Sequence, residues 1–219
     1  MDQQMTRKAY TEDLLKIQKK IVDMGTTASA AARDSIKALL NFDKDLAAQV
    51  MNNDDIIDKL LIDIEDSCIL LIAKQQPIAH DLRIIATSFK ISTDLERIGD
   101  HAFDIARITR NLKKPFNFNK SYIKELSDCA VTMINMSIQA YKDGDVSLAE
   151  QVCHEDDNAD SLFAKTLTEI SNYTSVESLP ELVFISRYLE RIGDHATNIA
   201  EWVIYLETAE RIRKTKKIK

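Results

Sequence analysis

ISTDLERIGDHAFDIA at residues 91–106 and ISRYLERIGDHATNIA at residues 185–200 agree at twelve of sixteen positions, at an offset of 94. Upstream, DKDLAAQVMNNDDIID at 43–58 matches DVSLAEQVCHEDDNAD at 145–160 through Asp43, Leu46, Ala47, Gln49, Val50, Asp54, Asp55 and Asp58, at an offset of 102. Two independent matches at nearly equal offsets mark a duplicated unit, the second copy being about two helical turns shorter between its motifs.

Each unit reads as three helices. In the first, residues 7–40, 43–75 and 79–112 are the expected helices, with Asp43 and its counterpart Asp145 as N-caps. Pro77 in Gln-Gln-Pro marks a tight hairpin, because the residue before a proline avoids the helical region. Ile91, Leu95, Ile98, Ala102 and Ile105 recur in steps of four and three, as do Ile185, Leu189, Ile192, Ala196 and Ile199; such a stripe is a bundle seam. Only 4 Gly and 3 Pro interrupt 219 residues, which favours long helices over many turns. The expected architecture is all-α: two tandem three-helix bundles, residues 1–113 and 114–219, joined by a linker at 113–120.

Four acidic pairs spaced four apart carry the chemistry: Asp54/Asp58 and Glu96/Asp100, then Asp156/Asp160 and Glu190/Asp194. On a helix such residues share a face, and their mutual repulsion costs a few tenths of a kcal/mol, a cost that a bridging cation relieves. Asp58 and Glu96 stand equally far either side of Pro77, and so do Asp54 and Asp100. Folding the chain there brings the four carboxylates level. In the second copy the same arithmetic centres on residue 175, inside NYTSVESLP (172–180), a turn-forming stretch. Glu96 follows the seam residue Leu95 and Asp58 follows the apolar Ile57, each offset about 100° in the same sense, so the pairs should lie toward the bundle surface. Oxygen donors suit hard cations such as Mg, Mn or Ca, and also iron. A solvated acidic face is the alternative. Glu-x-x-His spacing is absent, which disfavours a buried di-iron centre. His101 and His195 point about 100° from the motif aspartates, as packing or hydrogen-bonding residues rather than ligands. Gly99 and Gly193 imply close backbone approach, and Arg97 and Arg191 imply ion pairs to a neighbouring helix or an anion contact.

Composition bounds the rest. Apolar residues make up 45% of the chain, enough for a packed core. MDQQMTRKAY lacks the apolar stretch of a signal peptide, and the longest apolar run, Cys68–Ala73, is too short to span a bilayer. Any membrane association should be peripheral. Three cysteines without CxxC spacing suit a reducing cytoplasm. The net charge is -6, although residues 211–219 carry six Lys or Arg and no acid. That basic tail reads as a solvated helix end, or as a contact for anionic lipid or nucleic acid.

Doubled LERIGDH, with DLAxQV and DDxxD segments upstream and QQP between, resembles the PhoU family over about Thr6–Leu206. The resemblance implies a cytoplasmic regulatory adaptor that restrains the phosphate-starvation response and modulates phosphate uptake. It also implies a homodimer, with the ATPase of a phosphate ABC transporter and a PhoR-type sensor histidine kinase as partners, and no nucleic acid. By motif, Asp54, Asp58, Glu96, Asp100, Asp156, Asp160, Glu190 and Asp194 would ligate Fe, Zn, Mn or Mg, with Asp55 and Asp157 assisting. His154 and Glu155 stand where the first copy has Asn52 and Asn53, so the two sites need not hold the same ion. No enzyme is expected. The other readings are a metal-dependent hydrolase, for which no nucleophile motif or Gly-rich phosphate loop is present, and a metal-free interaction bundle.

Overall fold

A computed structural model describes residues 2–75, 77–116, 120–172 and 179–211. It contains α1 (Asp2–Asn41), α2 (Lys44–Gln75), α3 (Ala79–Asn111), α4 (Ser121–Asp143), α5 (Val146–Ser171) and α6 (Leu179–Thr208), with no strand among the described residues. The chain is all-α, as the patterning requires. The expected turn at 172–180 falls mostly outside the described residues, but α5 and α6 end and begin on either side of it. The basic tail beyond Arg211 also lies outside them, as do Gln76 and linker residues 117–119.

Both expected N-caps form. Asp43 Oδ1 accepts from the backbone N–H of Asp45 (3.1 Å) and Leu46 (2.9 Å), and Asp145 Oδ1 accepts from that of Leu148 (3.0 Å). Each satisfies donors that a helix start leaves without intrahelical partners. The residue before each cap is left-handed: Gly144 at φ 65 and Phe42 at φ 54. Glycine adopts that conformation freely, whereas phenylalanine gives up roughly 1 kcal/mol to it. Phe42 keeps its place by packing on the core and under the Lys44 ammonium, 5.3 Å from the ring centroid.

Helices α1–α3 pack mutually, and so do α4–α6; the two sets meet through α3 on α6 and α1 on α4, leaving α2 and α5 outermost. At the α1–α4 contact, a Cβ on Gly25 would collide with Ile138, and Ser29 Oγ donates to Asn135 Oδ1 at 2.7 Å. At the far end of the α3–α6 contact, Arg83 Nε donates to the Leu206 carbonyl at 3.2 Å. The seam residues of α3 and α6 are fully or almost fully buried, and one apolar cluster runs through both repeats. The halves are separate in topology but not in core, so the motif helices sit back to back at the centre of the molecule. The three cysteines are free thiols, with Cys68 buried.

Candidate functional site

In the first repeat, α2 presses closely on α3 at Gly99. A Cβ there would stand 2.8 Å from Ile57 Cδ1, too close without a shift of that side chain, and at an ordinary 3.5 Å from Asp54 Oδ1. Asp54, Glu96 and Asp100 are half-buried and Asp58 is exposed. The Asp54 carboxyl is pushed up to about 6, first by burial and then by the negative charges of Asp58, Asp100, Asp55 and Asp104. Glu96 is raised too, by burial first and then by Asp100, with Arg97 opposing and Asp58 and Asp54 adding to the rise. Glu96 thus feels Asp54, Asp58 and Asp100, and Asp54 feels Asp58 and Asp100. The hairpin arithmetic therefore places Asp54, Asp58, Glu96 and Asp100 together at the half-buried margin between α2 and α3.

Arg97 does not reach a neighbouring helix, contrary to the reading of its sequence. Its Nη1 lies 2.7 Å from Asp100 Oδ2 and its Nε 3.4 Å from Glu96 Oε2, both on its own helix. The reason is local: Asp100, three positions on, shares a helix face with Arg97, and the long guanidinium side chain curls far enough to meet Glu96 at the longer distance. Arg107 pairs with Asp104 in the same way at 2.7 Å.

The second repeat is built differently. Arg187, where the first copy has Thr93, binds Glu190 Oε1 through Nη1 at 2.7 Å. Thr197, where the first copy has Phe103, donates to Asp156 Oδ1 at 3.1 Å. Asp160 is exposed, and Asp194 is half-buried. A Cβ on Gly193 would meet Met133 Sδ at 3.6 Å and Ala159 Cβ at 3.8 Å, which is ordinary contact. Close approach explains Gly99 but not Gly193. Of the residues peculiar to this copy, His154 is exposed and Glu155 Oε2 accepts from Asn158 Nδ2 at 3.2 Å.

Between the repeats, the two motif histidines cross. His195 Nδ1 lies 2.8 Å from Asp94 Oδ1 of α3, and Asn198 Nδ2 donates to the same oxygen at 3.1 Å. The symmetry-related contact pairs His101 with Tyr188, stacked at 5.4 Å between centroids, and Tyr188 in turn hydrogen-bonds Asp104. Burial, then the nearby His195, Arg191 and Arg97, push His101 down to about 4, so its ring is neutral at pH 7. Both histidines line a groove of about 620 Å³ together with Asp54, Asp100, Asp104, Arg97 and Arg191.

Reading the sequence for spacing passed over Asp94, Tyr188, Arg187, Thr197 and the Asn198 contact. The signal was present: the two copies of the motif differ at only four places, 93/187, 94/188, 103/197 and 104/198. Every one of these differences changes a contact in one of the sites.

The first-repeat cluster fits a hard cation in donor chemistry and in charge. Its donors are all carboxylate oxygens, and the Asp54 and Glu96 carboxyls are raised by burial first and by neighbouring acids second, both of which a cation would offset. Among the described residues no three His, Cys, Asp or Glu side chains converge as they stand closely enough to hold an ion. Loading would require the Arg97 guanidinium to leave Asp100 and Glu96, a rotation open to an exposed side chain.

Comparison with known proteins places the fold. A family model described as the PhoU domain matches twice, at residues 21–109 and 123–203. The chain is 40% identical over 216 residues to a phosphate-specific transport system accessory protein PhoU homolog of Clostridium acetobutylicum, covering 95% of this chain and 98% of that one. It is 33% identical to the Borreliella burgdorferi homolog of the same description, covering 96% and 100%. In three dimensions it resembles the crystal structure of PhoU from Pseudomonas aeruginosa, with TM-score 0.88, 31% identity and coverage of 92% and 100%. The phosphate transport system regulatory protein PhoU from Streptococcus pneumoniae superposes with TM-score 0.87 at 25% identity, covering 94% and 100%.

Proposed function

Because this chain belongs to the PhoU family, we propose that it is a cytoplasmic regulatory adaptor that restrains phosphate uptake and the phosphate-starvation response. The observation that carries this reading is the match of both repeats over nearly the whole length of relatives named as accessory proteins of phosphate-specific transport. The proposed partners are the ATPase of a phosphate ABC transporter and a PhoR-type sensor histidine kinase, contacted by a homodimer without catalytic turnover. No helix among the described residues is long and apolar enough to cross a membrane, so contact with a membrane-bound partner would be peripheral.

The acidic pairs give the adaptor its proposed ligand. Asp54, Asp58, Glu96 and Asp100 would hold a cation in the first repeat, and Asp156, Asp160, Glu190 and Asp194 would hold one in the second. Mg, Mn, Zn or Fe would supply positive charge that cross-links each outer helix to its motif helix. Asp54 and Glu96 would give up their raised proton affinity on binding. Arg97 would turn outward to solvent or to a partner, so metal occupancy would be read on the surface as a released cation.

The test is genetic and direct. Removing the gene should switch on a phosphate-starvation reporter at high phosphate, and the wild-type gene should switch it off again. A reporter that ignores the deletion would sink the regulatory reading. Glu96→Ala/Asp100→Ala should restore repression only in part. Full repression by a variant shown to bind no cation would remove metal from the mechanism while leaving the adaptor in place.

A further inference from the structure

The groove between the repeats contains donors that the carboxylate reading does not use. His101 is only 8% exposed, yet neither of its ring nitrogens has a hydrogen-bond partner. Buried polar atoms in folded proteins are nearly always paired, and an exception calls for an explanation such as an ion. Its neighbour His195 is held through Nδ1 by Asp94 at 2.8 Å. A carboxylate gripping one ring nitrogen is how proteins orient an imidazole and raise its basicity for metal binding through the other. The two rings lie 5.7 Å apart between centroids, tilted by 35°. With each nitrogen about 2.0–2.1 Å from a zinc-like ion, two imidazoles on one ion have centroids about 5–6 Å apart.

From this geometry we infer that His101 and His195 form a two-histidine site for a borderline transition-metal ion at the junction of the repeats, separate from the acidic pairs. Imidazole selects zinc, copper, nickel or cobalt over magnesium or calcium. Among the described residues no third His, Cys, Asp or Glu converges with the two rings, so water would take the remaining positions, while Asp100 and Asp104 line the same groove. They also offset the positive charges of Arg97 and Arg191, which face the same space. Because each histidine comes from a different repeat, the ion would clamp α3 to α6, whereas the carboxylate sites bind helices within one repeat.

The chain has 4 histidines, and the other two, His80 and His154, are exposed, so His80→Gln/His154→Gln isolates the pair without touching the core. This full-length variant, freed of metal and given less than one equivalent of Cu²⁺, should show two imidazole nitrogens on one copper ion by pulsed electron paramagnetic resonance. One imidazole or none would overturn the inference. Adding His195→Gln should remove the two-imidazole signal and weaken Cu²⁺ binding at least tenfold; a signal unchanged by that substitution would also overturn it. If His195→Gln does not fold, the parent spectrum decides alone. Asp54→Asn/Asp58→Asn in the same background separates the two readings. It should abolish Mn²⁺ binding at the acidic cluster and leave the copper signal intact.

Discussion

The two copies of the motif share LERIGDH and most of a seam, yet they set up unlike environments. In the first, α2 lies so close that a methyl group on Gly99 would press on the end of the buried Ile57 side chain, and Asp54 sits half-buried in the field of four other acids. In the second, Gly193 has ordinary space, Asp156 is tied down by Thr197, and Glu190 is held by Arg187. Four substitutions within sixteen residues account for much of this divergence. The comparison teaches that duplication preserved the scaffold, which is set by apolar spacing, while a few polar changes redistributed charge. On this account the first repeat concentrates more negative charge around its half-buried Asp54, with Arg97 as the counter-ion of Glu96 and Asp100, and would be the stronger cation site.

The largest expected effect breaks the comparison at the glycines. Gly99→Ala should destabilise the protein by about 1–3 kcal/mol, because its methyl group overpacks against Ile57. Gly193→Ala should stabilise it by up to about 1 kcal/mol, because helical alanine is preferred to glycine and the space exists. Urea unfolding of both variants checks this, and equal effects of the same sign would erase the steric difference between the repeats.

Acidity gives the next effect. With its carboxyl at about 6 against an ordinary 3.8, Asp54 holds a proton in the folded state that the unfolded chain has already released. Stability should therefore fall as pH rises from about 4 to about 6. Asp54→Asn should flatten that part of the profile and raise stability at pH 7 by on the order of 1 kcal/mol, the value being reduced for the solvent that screens a half-buried group. Thermal unfolding across pH 4–8 reads it. The same slope in wild type and variant would mean that the acid cluster is not strained.

Arg97 sharpens the comparison from the other side. Arg97→Ala removes the internal counter-ion of Glu96 and Asp100, so Mn²⁺ affinity should rise about threefold, which corresponds to under 1 kcal/mol as expected for a partly exposed pair. Calorimetric titration that finds weaker binding would make the arginine a positioning group rather than a competitor. The smallest effect belongs to the inter-repeat contact. Asp94→Asn should cost about 1 kcal/mol or less through its altered bond to His195, and a loss of several kcal/mol would show that the repeats depend on this contact far more than their shared apolar core implies.

Local and periodic features were legible in the sequence. The seam from Ile91 to Ile105, the caps Asp43 and Asp145, and the hairpin at Pro77 each follow from spacing or backbone preference, and together they placed Asp54 level with Asp100. The contacts between repeats were not legible. Asp94 and His195 are far apart in the chain, and nothing in a single repeat reveals that α3 and α6 pack antiparallel with their histidines crossed. The Arg97 partners differ from the expectation for another reason. A long flexible side chain chooses among several acids by the local field, and Arg97 found the nearest on its own helix. Gly193 shows the opposite limit, since its residue type is shared with Gly99 while its surroundings are not.

The most direct test of unequal sites is a calorimetric Mn²⁺ titration of metal-free protein with two variants, Asp54→Asn/Asp58→Asn and Asp156→Asn/Asp160→Asn. The account predicts that the first variant loses the tighter binding event, with affinity at least tenfold weaker, while the second retains it. Retention of the tight event in the first variant, with its loss in the second, would contradict the account.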